Sequence, residues 1–194
     1  MRKIEFIKSA KLAKDFPEGR AKEVAILGRS NAGKSSLINL LARSNKVALV
    51  SSKPGKTRLL NFFNYEGKFS LVDMPGYGFS SRSGDEQHSW QEMIEGYLFN
   101  REQLKGLVLV MDIRREWEDE EEMIKGWADR EGFGLMVVLT KADKMSRSAA
   151  LNRLRIIKKS ADLEAIFAVS VLKKEGHEAV ESYIFNQWIL VSNS

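Results

Sequence analysis

Apolar residues in this chain come in short runs, separated by longer stretches with a helical period. The runs Val24–Gly28, Leu60–Tyr65, Lys68–Asp73, Leu107–Asp112, Leu135–Thr140 and Ala165–Ser170 are too short for typical helices and read as strands. Helical patterns begin near Lys34, Ser89, Asp119, Arg147 and Gly176. This alternation predicts a three-layer α/β fold, with a six-stranded, mostly parallel sheet and helices on both faces. One strand must run against the others. Only Glu66-Gly67 separates 60–65 from 68–73, and a link that short closes a hairpin but cannot make a parallel crossover.

No repeat, low-complexity tract or flexible linker interrupts the pattern, so residues 1–194 are expected to form a single domain, with 1–22 as a short N-terminal extension. With 43% hydrophobic and 29% charged residues, the chain has the composition of a folded, soluble protein. No apolar run is long enough to span a bilayer, and Glu5, Lys8, Lys11 and Lys14 break up any export signal. A cytoplasmic location without membrane attachment is therefore expected. The absence of cysteine leaves no disulfide framework and no thiolate zinc site. A net charge of +5 favours approach to a polyanion, without being sufficient for it.

The candidate chemistry lies where strands end. Gly28-Arg29-Ser30-Asn31-Ala32-Gly33-Lys34-Ser35 follows a strand and opens a helix, the context that a phosphate-binding loop needs. Its glycines let successive N–H groups converge on a phosphate, and the helix N-terminus adds its positive end. Residues 28 to 36, Ser36 included, are the candidate nucleotide contacts. Lys34 is assigned to the β- and γ-phosphates and the Ser35 hydroxyl to Mg²⁺. Strand 68–73 ends in Asp73-Met74-Pro75-Gly76, where the carboxylate can hold Mg²⁺ through a water and the Gly76 N–H can reach the γ-phosphate. Between these two segments lies Ser51-Ser52-Lys53-Pro54-Gly55-Lys56-Thr57-Arg58. Thr57 is its candidate for a second hydroxyl on Mg²⁺, with Gly55 beside it. The acidic run 116–122 reads first as a helix start, where its charges complement the macrodipole, and second as a metal or partner site.

Thr140-Lys141-Ala142-Asp143 follows a later strand. A carboxylate there can accept from both N1–H and the exocyclic amine of guanine, donors that adenine does not pair on that edge. The Lys141 stem can lie over the base, and after the next strand Ser170 can support the loop while the Val171 N–H is available to the guanine O6. This set points to GTP and GDP as ligands.

Taken together, the segments Gly-Arg-Ser-Asn-x-Gly-Lys-Ser (28–35), Pro-Gly-Lys-Thr (54–57), Asp-x-Pro-Gly-Tyr-Gly (73–78), Asp-Ile-Arg (112–114) and Thr-Lys-Ala-Asp-Lys (140–144) resemble the EngB (YsxC/YihA) family of bacterial ribosome-biogenesis GTPases. The resemblance runs from Phe6 to about Trp188. It implies a cytoplasmic, Mg²⁺-dependent GTPase, expected as a monomer, that assists late assembly of the large (50S) ribosomal subunit through rRNA contacts. The sequence departs from the family pattern at Val171, where a small residue is more usual, and at Phe79, where a second Tyr is frequent.

Many GTPases place a water-orienting Gln where this chain has Tyr77, so slow intrinsic hydrolysis is expected, completed by a partner or a cation. A GTP/GDP-sensing module with little turnover is the alternative. Related GTPases with an Asn at the position of Asn31 use K⁺, so the resemblance makes Asn31 a candidate K⁺ ligand, against a purely structural role in the loop. Arg147, Arg153, Arg155, Lys158, Lys159, Lys173 and Lys174 are candidates for an rRNA-facing surface, joined by Lys53, Lys56 and Arg58. The catalytic candidates are thus Lys34, Asn31, Thr57 and Gly76.

Overall fold

A computed structural model describes residues 4–44, 47, 59–78, 84–99 and 101–191. Its strands are β1 (Ile4–Ala10), β2 (Glu23–Gly28), β3 (Leu60–Tyr65), β4 (Phe69–Asp73), β5 (Leu104–Asp112), β6 (Gly134–Thr140) and β7 (Ile166–Ala168). The helices are α1 (Lys34–Leu41), α2 (Gly84–Leu98), α3 (Asp119–Glu131), α4 (Arg147–Ala161) and α5 (His177–Tyr183), the last continuing as a wider π-type turn over Ile184–Ile189. The strands form one sheet in the order β1-β3-β4-β2-β5-β6-β7. Only β3 runs against its neighbours.

The central strands read as continuous apolar runs because both of their faces are covered. On β2, Ala25 and Leu27 face a core built with Met93, Ile94 and Tyr97 of α2, Ile124 and Trp127 of α3 and Ile157 of α4. Val24 and Ile26 face the opposite core, with Leu37, Ile38 and Leu41 of α1 and Val180 of α5. The three-layer arrangement follows from this two-sided burial. The β3–β4 hairpin turns through Glu66 and Gly67, both with positive φ (52° and 69°), and Lys68 N–H bonds back to the Tyr65 carbonyl at 2.9 Å, so Tyr65 pairs with Phe69 and β4 begins one residue later than expected. The Asn64 side chain accepts the Gly67 N–H at 2.9 Å and holds the turn.

The sheet carries one strand more than the six expected. Residues 4–10, expected to belong to an extension, pair antiparallel with β3 as an edge strand. The pattern conceals this because a register shift between Phe6 and Lys8 breaks the alternation, and only Ala10 is fully covered. Phe6 lies edge-on to Phe63 at 5.7 Å, and Ser9 donates to the Asn61 side chain at 2.6 Å. Further along, Phe16 packs on Phe62 and Tyr97, and Arg101 bridges the Pro17 carbonyl to the buried Glu23 carboxylate. Helix α2 starts at Gly84, before the expected Ser89, because its first turns are exposed and carry no apolar signal. Strand β7 ends at Ala168, two residues short of Ser170, which instead bridges to Glu175.

Two glycines govern the packing of the last helical segment. Gly106 of β5 and Gly134 of β6 are direct neighbours, and the Trp188 indole lies on both. A Cβ on Gly106 would sit 2.3 Å from the ring, so Gly106→Ala should cost about 1–3 kcal/mol of stability by overpacking. Gly126, exposed within α3 with open space at its Cβ, provides the contrast: Gly126→Ala should gain about 0.5–1 kcal/mol. Urea denaturation of the two variants measures both, and equal midpoints would contradict the packing argument.

Candidate functional site

The C-terminal ends of β4, β2, β5, β6 and β7 share one edge of the sheet, where open α/β folds bind ligands, and the expected site residues that the structure describes lie along it. Gly28 ends β2 so close to β5 that a Cβ there would stand 2.4 Å from the Val110 carbonyl oxygen. The chain then turns through Asn31 and Gly33, both with positive φ (62° and 91°), into α1 at Lys34. The amides of Lys34, Ser35 and Ser36 thus begin a helix and have no carbonyl partner one turn earlier within it. A curled loop feeding a helix N-terminus is a ready anion cradle.

Asp73 ends β4 in register with Ile26 of β2, and its carboxylate contacts the Lys34 ammonium directly. Asp73 therefore faces the loop that precedes α1, and Ser35 is the next residue of that helix. Together they offer oxygen donors alone, the chemistry that suits Mg²⁺. From Asp73 the backbone runs along the loop. Met74 N–H donates to the Ile26 carbonyl (3.0 Å), Tyr77 N–H to Gly28 (3.3 Å) and Ser30 N–H to Tyr77 (3.1 Å). Between them lies Gly76, where a Cβ would be 2.9 Å from the Gly28 oxygen.

The Tyr77 side chain takes no part in this edge. It is buried, and its hydroxyl donates to Glu121 of α3 at 2.6 Å. Burial, reinforced by the neighbouring carboxylate, pushes the phenol pKa far up and keeps it protonated, while burial also raises that of Glu121. Arg29 crosses above the Tyr77 ring to pair with Glu118 and Glu120. The acidic run accordingly begins α3: Glu118 and Glu121 form a capping box, and Arg29 neutralises the exposed carboxylates.

At the other end of the edge, Thr140 is fully buried, and its hydroxyl lies within hydrogen-bond reach of the carbonyls of Ala32 and Met111. Lys141 has φ 60°, and its ammonium donates to the Asn31 carbonyl at 2.8 Å and pairs with Asp112 at 2.9 Å. Asp112 is also gripped through both oxygens by Arg114, which with Lys141 holds its carboxyl well below the usual carboxylate range. The Ser170 hydroxyl donates to Asp143 at 2.8 Å, and Ala142 N–H reaches the Val169 carbonyl at 3.2 Å. Val171 follows in the same turn, which closes tightly because Gly176 (φ 83°) passes so near the Ala168 carbonyl that a Cβ would be 2.2 Å away. The two base-reading segments expected from the sequence are thus joined to each other, and the first is joined to the phosphate loop.

Gly55 and Thr57, with Lys53, Lys56, Arg58 and Phe79, lie outside the described residues. The basic surface is narrower than expected. Arg153 turns inward to the Ile113 carbonyl (3.0 Å) and Glu116 (2.7 Å), and Lys158 pairs with Glu164. Arg155 and Lys159 remain exposed one turn apart on α4, which carries no acidic residue. The Asp112 network was visible only as a short Asp-Ile-Arg segment, since the partner Lys141 is distant in sequence. The Arg29–Glu118/Glu120 pairs left no local signal at all, because their partners are about ninety residues apart.

Residues 23–141 match the family described as 50S ribosome-binding GTPase. A relative named Probable GTP-binding protein EngB, from Bdellovibrio bacteriovorus, is 62% identical over 186 residues, covering 96% of this chain and 92% of that protein. Among solved structures, one described as a probable GTP-binding protein EngB superposes with a TM-score of 0.67 at 20% identity, covering 84% of this chain and 96% of that one, and supports the fold alone. The GTPase Era, solved with MgGDPNP and nucleotides 1506–1542 of 16S ribosomal RNA, superposes with a TM-score of 0.67 at 26% identity, covering 91% of this chain and 60% of Era. Among the described residues no helix is long and apolar enough to cross a membrane. With the loop before α1, the Asp73 strand end and the joined segments at Thr140 and Ser170 set along one end of the sheet, the chain belongs to the EngB family of P-loop GTPases.

Proposed function

We propose that this GTPase is a cytoplasmic, single-domain switch in assembly of the large ribosomal subunit, slow to hydrolyse GTP until a partner or cation completes its site. The observation that carries the nucleotide part is the double tie between base loop and phosphate loop, Thr140 to Ala32 and Lys141 to Asn31. It fixes the distance between the group that reads the base and the amides that hold the phosphates. One ligand spanning both, a guanosine phosphate, fits that constraint. In this reading the loop of residues 28–36 wraps the phosphates, with the amides of Lys34, Ser35 and Ser36 at the start of α1 turned to them, and Lys34 reaches the β- and γ-phosphates. Ser35, Thr57 and, through a water, Asp73 hold Mg²⁺, which neutralises charge on the phosphate oxygens. The Gly76 N–H meets the γ-phosphate. Lys141 covers the base, Asp143 accepts its two donors while Ser170 orients that carboxylate, and Val171 N–H serves the O6.

Slow hydrolysis is supported by the position of the Tyr77 phenol, committed to Glu121 inside the protein and so unable to orient a water at the phosphate. The catalytic gap leaves a role for K⁺ at Asn31, whose side chain is exposed beside the loop. A ribosomal partner is supported by the family description and by the one-signed surface of α4.

Three outcomes are expected. Asp143→Asn should cost at least about a hundredfold in GTP affinity and favour xanthosine nucleotides, because the amide donates where the carboxylate accepted; titration with both nucleotides measures it, and a retained guanine preference would refute the assignment. Reversing Arg155 and Lys159 to Glu should weaken co-sedimentation with purified large subunits about tenfold near 0.1 M salt and flatten its salt dependence; unchanged binding removes this face from the interface. Turnover in the presence of those subunits should be at least about tenfold faster in K⁺ than in Na⁺ if the cation supplies charge that an arginine finger gives elsewhere; equal rates leave Asn31 a purely structural role.

A further inference from the structure

We infer that Trp90 is a positioning residue for the nucleotide sensor: its indole N–H, donated to the Pro75 carbonyl at 2.9 Å, aims the N–H of the same peptide unit, that of Gly76, at the γ-phosphate. The inference rests on the reading of Gly76 as the γ-phosphate contact. A trans peptide is a rigid plane whose C=O and N–H point in opposite directions, so fixing the carbonyl of Pro75 fixes the direction of the Gly76 amide.

The backbone on either side of this peptide is tied to β2 and the phosphate loop. Met74, before it, is bonded to β2 through the Ile26 carbonyl, and Tyr77, after it, is bonded to Gly28 and Ser30 on both its amide and its carbonyl. These bonds anchor the ends of the segment. Pro75 has no N–H with which to join the loop, and its carbonyl points away from it, to α2. Trp90 is the first residue of α2 to turn inward: Gly84 to Ser89 are exposed, whereas Trp90 is half-buried, with its ring 6.5 Å from that of Tyr77. The indole therefore joins α2 to the sensor through this hydrogen bond. Displacement of α2 would rotate the Pro75–Gly76 plane, and a γ-phosphate that holds the Gly76 amide would in turn hold α2. GDP, which lacks that phosphate, makes no such demand.

The test separates the two nucleotides. In Trp90→Phe, which keeps an aromatic ring and removes the donor, affinity for GDP should stay within about twofold of wild type while affinity for GMPPNP falls about fivefold to tenfold, the worth of one hydrogen bond. Equal weakening of both nucleotides, or no change in either, overturns the positioning role; a purely structural role for the ring predicts the former. Gly76→Ala tests the underlying reading by itself. If its ratio of GDP to GMPPNP affinity matches wild type, Gly76 is not the γ-phosphate contact and the inference falls with it; if that ratio shifts while Trp90→Phe leaves it unchanged, only the role of Trp90 fails. A second measurement reads the wild type, with the variant used only to assign the signal. In ¹⁵N-labelled wild type, the indole N–H resonance missing from the Trp90→Phe spectrum should move on adding GMPPNP and remain in place with GDP, and an identical response to both nucleotides overturns the proposal.

Discussion

A single buried hydroxyl ties together the strand ends that carry the candidate nucleotide site. Thr140 ends β6 with its side chain closed to solvent, and its one proton is shared between a carbonyl of the phosphate loop and the Met111 carbonyl of β5. Three parallel strands, β2, β5 and β6, thereby meet at their C-terminal ends. The glycines around it are consequences of that closeness: Gly33 leaves only 3.2 Å between a would-be Cβ and the Thr140 hydroxyl, and Gly28 has no room at all against Val110. The Asn31 and Ala32 carbonyls of the loop are taken by Lys141 and Thr140, and the Ser30 and Ala32 amides by Tyr77 and Arg29, which leaves the amides at the start of α1 to face a ligand.

Charge around this junction is paired. Lys34 meets Asp73, Lys141 meets Asp112, and Arg29 meets Glu118 and Glu120. The pairs differ in what a nucleotide asks of them. Lys34 and Asp73 are both assigned to the ligand and its metal, so their contact has to be exchanged on binding, and part of the binding energy goes into separating them. Lys141 and Arg29 can keep their partners, since the first would contribute its stem and the second lies outside the loop.

The sensor segment connects this junction to two helices of the same face. Tyr77 reaches α3 through Glu121, and Pro75 reaches α2 through Trp90. Helix α2 is held in turn by the buried Glu23, which accepts from Tyr97 and Arg101, with Arg101 extending to Pro17 and Phe16 packed beside it. The N-terminal arm, expected as an appendage, is thus part of the support for the helix next to the sensor, and β1 covers the edge of β3 whose first residue, Leu60, pairs with Ala10.

The strand ends that carry the expected phosphate loop, sensor and base-reading tetrapeptide were legible in the sequence because each is a local pattern: a strand followed by a defined set of residues a few positions long. The hairpin was equally legible, since so short a link cannot make a parallel crossover. The hydrophobic runs located six strands, because burial on both faces writes itself into consecutive residues. What the pattern missed was decided by contacts between distant parts of the chain. Strand β1 is half-exposed and interrupted by a register shift, so it leaves no alternation to read, and only the free edge of β3 makes it a strand. Tyr77 could be placed at the water-orienting position from sequence, but its withdrawal to Glu121 depends on where α3 packs. Sequence spacing put Arg153 and Lys158 on a basic face, whereas the carbonyls after β5 and the nearby Glu164 draw them elsewhere. Local chemistry is set by neighbours in the chain, but the direction of a long side chain is set by whichever charge or carbonyl the fold brings within its reach.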